Sequence, residues 1–146
     1  MTGTARRSRT APPQSVHTLK VTLREVRPQV WRRVAVPGDA TLAALAAMLE
    51  AAMGWSGYHL HVFEAGGVRF GDRRIDADLF DRDERGVPLS AVLAAVGVRM
   101  RWEYDFGDGW EHDIVVEAIT PPEPGVSYPR CLAGGRACPP EDCGGA

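Results

Sequence analysis

The stretch from Met100 to Val116 constrains the fold most, because two alternating runs flank a turn rich in glycine and aspartate. Met100, Trp102, Tyr104 and Phe106 alternate with Arg101, Glu103 and Asp105. Beyond Gly107-Asp108-Gly109, Trp110, His112, Ile114 and Val116 alternate with Glu111, Asp113 and Glu117. A period of two marks a strand with one wet face, and two such runs across a short link predict an antiparallel hairpin. A three-residue loop, Gly107-Asp108-Gly109, pairs Phe106 with Trp110, Tyr104 with His112, Trp102 with Ile114 and Met100 with Val116. It also puts Gly109 where a left-handed residue is required. A two-residue turn sets Glu103 against Ile114 and turns one strand's apolar face outward, so the three-residue loop is expected. His112 then lies on the aromatic face, with Asp105, Glu111 and Asp113 on the other.

The same alternation recurs upstream. Leu19, Val21 and Leu23 alternate with Lys20, Thr22 and Arg24, which predicts a strand from His17 to Val26. Arg27-Pro28-Gln29 turns the chain into a second strand, Val30 to Val36, where arginine stems are expected to cover Trp31. Leu42, Leu45, Leu49 and Met53 then recur at helical spacing. Asp39 or Thr41 can cap that helix and Gly54 can stop it. Tyr58 to Glu64 predicts a strand with His59, His61 and Phe63 on one face, and Gly66-Gly67 turns it into Val68-Arg69-Phe70. Acids and arginines mix from Gly71 to Gly86, which predicts a solvated loop. Asp76, Asp78 and Asp81 fail the EF-hand pattern, since Asp81 stands where that loop needs glycine. Leu89 to Val96 predicts a short helix stopped by Gly97. The ββαββαββ order predicts an α+β fold: a mostly antiparallel twisted sheet with helices packed on one face. An irregular Cys/Pro/Gly-rich C-terminal arm is expected to follow.

Residues 1–15, with Arg6, Arg7, Arg9 and Pro12-Pro13, read as a disordered tail, and 16–146 as a single domain. Setting the tail arginines aside leaves 14 basic residues against 19 acidic ones, a poor surface for neutralising phosphates. Dedicated nucleic-acid binding is therefore not expected. No apolar run has the roughly 18 residues of a membrane span, and no apolar segment follows the tail arginines as in a signal peptide. Three cysteines, an odd number, suit the cytoplasm better than a secreted disulfide framework.

Two groups of residues carry candidate chemistry. Cys131, Cys138 and Cys143 are spaced C-x6-C-x4-C, and with His112 or His61 as fourth ligand they would make a tetrahedral zinc set. Free thiols or loop packing, or a redox pair, are the alternatives, since this is not the short C-x2-C spacing. His59 and His61 share a strand face and can chelate a metal with Glu141 or Asp142, or simply form an exposed polar face. Two functions follow. The first is a binding module for a protein or small-molecule ligand, with His59, His61, Tyr104, Asp105, Asp108, Trp110, His112, Glu141 and Asp142 as candidate binding residues. The alternative is a metal-assisted hydrolase using His59, His61 and His112. Nothing in the chain matches a nucleophile elbow, a P-loop or a dinucleotide fingerprint. Convergence of the three histidines in one concave pocket would favour the enzyme.

Several motifs in order resemble the plasmid pRiA4b ORF-3-like family from about Val16 to the C-terminus. They are Trp31-Arg32-Arg33, Ala52-Met53-Gly54-Trp55, His59-Leu60-His61, Tyr104 to His112, Tyr128-Pro129-Arg130-Cys131 and Cys138-Pro139-Pro140-Glu141-Asp142. The resemblance implies an α+β domain and no particular activity. Some members of that family are labelled resolvase-like, but this chain has no serine-plus-arginine recombinase constellation. It departs from relatives at Ala46, where they often carry histidine. Relatives also usually continue into a helical segment after the Cys138 motif.

Overall fold

The computed structural model describes residues 15–57 and 59–136. The expected tail up to residue 14, Tyr58, and Cys138, Glu141, Asp142 and Cys143 lie outside the described residues. The alternating segments form strands β1 (Val16–Leu23), β2 (Trp31–Pro37), β3 (His61–Ala65), β4 (Val68–Gly71), β5 (Arg82–Asp83), β6 (Arg99–Tyr104), β7 (Trp110–Thr120) and β8 (Arg130–Gly135). They join in one sheet of order β5-β4-β3-β6-β7-β1-β2-β8, antiparallel throughout except for β4 with β5. Among the described residues two α-helices accompany it, α1 (Leu42–Met53) and the short α2 (Leu89–Val92).

Period-two alternation sorts the two faces. Leu19, Val21 and Leu23 of β1, Phe63 of β3, Met100, Trp102 and Tyr104 of β6 and Ile114 and Val116 of β7 share one buried cluster with Leu42, Leu45, Leu49 and Met53 of α1. The other face is wet, as antiparallel sheets permit. There Arg24 and Arg101 approach Glu111 at 3.3 and 3.4 Å, and Arg33 meets Glu117 at 2.6 Å. The Arg33 guanidinium carbon lies 5.1 Å over the Trp31 ring, so an arginine covers it as expected, and Lys20 Nζ joins it at 5.2 Å. Helix α1 is bounded by local chemistry. The Thr41 side chain accepts from the Ala44 amide at 3.1 Å, and Gly54 ends the helix in the left-handed region at φ 81°.

Four expectations need correction. Among the described residues the sheet has eight strands rather than six, and two of them arise in stretches read as irregular. β8 pairs with β2 inside the predicted C-terminal arm. Its glycines are there because the strand crosses close to Trp31: a Cβ at Gly135 would stand 2.7 Å from the indole nitrogen, and one at Gly134 would stand 3.0 Å from the Trp31 carbonyl. Glycine content here reflects close approach rather than irregularity.

The stretch from 71 to 86 is likewise not merely a solvated loop. It holds β5, a 3-10 turn (Glu84–Gly86) and Phe80, which is buried. The Phe80 ring rests on Gly71, where a Cβ would come within 2.5 Å of it, so one apolar side chain pins a polar loop to the sheet. The second helix is shorter than Leu89–Val96, ending at Val92 with Leu93 as its cap residue.

The central hairpin has a different register. Tyr104 pairs with Trp110, Trp102 with His112 and Met100 with Ile114, so the loop is five residues, Asp105 to Gly109. Asp105 leaves the strand in the left-handed region at φ 63° and its Oδ1 accepts from the amides of Gly107 and Asp108 at 3.1 and 3.3 Å. Aspartate tolerates this conformation because its short carboxylate bonds the local backbone. The Gly109 amide closes the loop on the Asp105 carbonyl at 2.6 Å, with Gly109 left-handed at φ 69°. A slip of two residues keeps every strand side chain on its expected face, so the aromatic face is as expected and only the partners change. Asp105 is the exception: it is buried rather than facing out with Glu111 and Asp113.

Candidate functional site

β3 begins at His61, three residues later than the run from Tyr58 predicts, so His59 lies on the approach to the strand. Alternation puts His61 and Phe63 on the inward face, ring centroids 5.9 Å apart, with Phe63 fully buried against Trp102. This face points towards the helices and is not the exposed polar face that was the alternative for His59 and His61. α1 brings Glu50 to the same place, and the 3-10 turn after β5 brings Glu84.

His61 is held between these carboxylates. Its Nε2 lies 2.6 Å from Oε1 of Glu84, and its Nδ1 lies 3.7 Å from Oε2 of Glu50. Glu84 is only 5% exposed. Burial opposes charging of the imidazole most strongly. The hydrogen bond to Glu84 and the charges of Glu84, Glu50 and Asp72 together outweigh it, so the His61 pKa is raised above its ordinary value. Gly57, left-handed at φ 78°, leaves room for Glu50: a Cβ there would stand 2.9 Å from Oε1. His59 Nε2 lies 3.5 Å from Oδ2 of Asp105, and its ring meets Tyr104 edge-on at 5.8 Å.

Glu50, Gly57, His59, His61 and Glu84 border a concavity of about 240 Å³ whose wall also includes Asp72, Leu60, Ile75 and Phe80. Because the folded pKa of His61 is raised, the stability it contributes is fully present below about pH 6.5 and is lost as pH rises through the folded value. Glu84→Gln should therefore destabilise the protein more at pH 6 than at pH 9. Urea denaturation at the two pH values checks this, and an equal effect at both would count against the clamp.

The other sequence candidates are dispersed. Tyr104 and Trp110 are core residues, 0% and 1% exposed. His112 is also fully buried, 4.4 Å from Trp102 and 5.4 Å from Trp55 by ring centroids. Its Nδ1–H donates to the Trp102 carbonyl at 3.1 Å, and burial pushes its pKa down to about 4, so the ring is neutral at pH 7. Asp108 is half-buried in the hairpin loop. Cys131 is exposed on β8 beside Val34 of β2, and β2 and β1 separate β8 from the strand carrying His112. These two residues do not share a site. Among the described residues no three His, Cys, Asp or Glu side chains are arranged to hold a metal ion. The histidines do not converge either: His59 and His61 border the concavity, while His112 is in the aromatic core.

Glu50, Asp72 and Glu84 were missed from sequence. Glu50 carried a usable signal, being the sole acid in the run Leu42 to Met53. Asp72 and Glu84 carried none, since they stand among many acids and arginines that do face solvent.

The comparisons agree with this fold. An uncharacterized protein, y4hQ, from Sinorhizobium fredii (strain NBRC 101917 / NGR234) is 43% identical over 132 residues, covering 90% of this chain and 68% of that one. A crystal structure of a protein of unknown function, MM3350 from Methanosarcina mazei Go1, matches with a TM-score of 0.82 and 36% identity, covering 92% of this chain and 77% of that one. The family model described as plasmid pRiA4b ORF-3-like protein matches residues 15–146. This chain therefore belongs to the plasmid pRiA4b ORF-3-like family.

Proposed function

We propose that the chain is a binding module whose ligand site is the concavity bordered by Glu50, His59, His61 and Glu84. One observation carries this reading: buried charged groups meet the wall of an open pocket whose rim exposes apolar side chains. Leu60 and Ile75 at that rim are 40% and 58% exposed, two of the four exposed large hydrophobic residues among those described. Charge buried at a concave site is costly to the fold and is characteristic of binding sites. The metal-assisted hydrolase has less support, because His112 is enclosed by Trp55 and Trp102 and stands apart from the other two histidines. No helix among the described residues is long and apolar enough to cross a membrane. The odd cysteine count favours the cytoplasm as the module's setting.

A thermal-shift screen of chemically varied small molecules tests the site. A ligand at a hundred times its Kd adds about 2.7 kcal/mol, a rise of roughly 5–10 °C for a domain of this size. Ile75→Arg, at an exposed rim position, should leave folding intact and abolish those shifts. Shifts that persist in Ile75→Arg, or a screen without shifts in the unmodified protein, would overturn the assignment.

A further inference from the structure

We infer that the apolar groove between α1, β2 and the start of β8 binds a small carboxylic acid, its carboxylate on Arg130 and its stem against the helix. This site is separate from the concavity at His61 and does not depend on it. Helix α1 buries Leu42, Leu45, Ala46, Leu49 and Met53. Met48, Ala51 and Ala52, spaced at i, i+3 and i+4, form a neighbouring stripe that meets the start of β8 across the groove. The two alanines are too short to close that distance, and a groove of about 290 Å³ is left.

Val34 and Val36 of β2 line the groove from the sheet, and Pro129, Arg130 and Cys131 line it from the other side. Pairing with β2 fixes that second wall, with Cys131 opposite Val34 and Arg130 opposite Ala35. An aliphatic stem laid between Met48 and the two valines leaves water for apolar surface, which is favourable in proportion to the area covered. The volume stands at the lower end of the roughly 300–1,000 Å³ of ordinary ligand pockets, so it suits one short acyl chain rather than a length of polypeptide.

Charge selects the head group. Among the described residues that line the groove Arg130 is the sole charged one, so no carboxylate there competes for it. The arginines of β2 are already engaged: Arg32 donates to the carbonyls of Ala52, Trp31 and Gly135, and Arg33 pairs with Glu117 at 2.6 Å. Among the described residues no ion pair or hydrogen bond takes up the Arg130 guanidinium. Its planar fork can therefore bind a carboxylate through two parallel charge-assisted bonds. A cationic head would be repelled there, and a neutral one would forgo the charge assistance. The Cys131 thiol donates to the Ala133 carbonyl at 3.5 Å, which leaves the guanidinium as the polar anchor.

Proton–nitrogen NMR titration of the full chain with hexanoate, hexanol and hexylamine tests the inference. Hexanoate should shift the amides of Val34, Val36, Ala51 and Ala52 and leave those of His61 and Glu84 in place, which keeps this site distinguishable from the concavity. It should bind at least about tenfold more tightly than hexanol, the scale of a hydrogen bond to a charged group, and hexylamine should not shift these amides. Arg130→Gln should weaken hexanoate about tenfold and leave hexanol unchanged. Ala51→Phe, at an exposed helix position, should fill the groove and abolish the binding of both. Circular dichroism confirms that each variant is folded. The inference is overturned if hexanol or hexylamine binds as tightly as hexanoate, or if hexanoate shifts only amides elsewhere or none at all. It also fails if either folded variant binds hexanoate as the unmodified protein does. Shifts of the same amides on dilution of the ligand-free protein would overturn it in favour of a second copy of this chain as the occupant.

Discussion

Acidification from pH 7 to pH 4 is expected to remove about 3 kcal/mol of stability through His112 alone. Burial between Trp55 and Trp102 lowers its pKa from 6.5 to about 4, and each unit is worth about 1.4 kcal/mol. Between those values the unfolded chain binds a proton that the folded chain refuses, so stability rises with pH across that window. The contribution is complete above pH 6.5 and declines as pH falls towards 4. His61 acts in the opposite sense, adding stability below pH 6.5 that is lost at higher pH. The two can be separated by substitution. His112→Phe removes the titrating ring while filling the aromatic site. Its stability, measured by urea denaturation from pH 4 to pH 8, should show a slope shallower by the His112 share. Parallel curves for the two proteins would show that His112 is hydrated and titrates normally.

What could be read from the sequence, and what could not, divides by the range of the interactions. The Thr41 cap and the Gly54 stop are local, and so were recognisable from a few neighbouring residues. The sheet faces were legible because alternation survives a slip of two, whereas the pairing of Tyr104 with Trp110 depended on one aspartate leaving the strand left-handed. Asp105 therefore changed both the register and its own burial. β8 was hidden because its glycines answer to Trp31, a residue a hundred positions earlier. The candidate site was half legible. The spacing of His59 and His61 brings them to one wall, but their carboxylate partners arrive from α1, from the 3-10 turn and from the hairpin loop. Such convergence leaves no periodic mark. His112 shows the converse error: it stands in the most conspicuous motif of the chain, and that motif's aromatic face is core.

Trp55→Ala should cost about 3–5 kcal/mol, a large share of the roughly 5–15 kcal/mol that holds a domain together. Trp55 follows the Gly54 stop, and its amide closes the helix end on the Glu50 carbonyl at 2.8 Å. Its ring stacks on Tyr104 at 4.9 Å and 6°, lies 6.2 Å from Trp110 and 6.3 Å from Trp102, and meets His112 edge-on at 5.4 Å. Removing it leaves a cavity among rings that sheet hydrogen bonding prevents from closing in. Water entering that cavity would reach His112 and lift its pKa towards the ordinary value, because burial is what depresses it. The loss caused by Trp55→Ala should therefore be smaller at pH 5 than at pH 7, since the unmodified protein pays the His112 penalty at pH 5 and the variant largely escapes it. Trp55→Phe, which keeps a ring against Tyr104, should retain most of the stability and the pH dependence. A double-mutant cycle of Trp55→Ala with His112→Phe should show coupling of about 0.5–3 kcal/mol, as expected for residues in contact. Additive effects, or a Trp55→Ala cost that does not change with pH, would mean that the two rings do not share one dry environment.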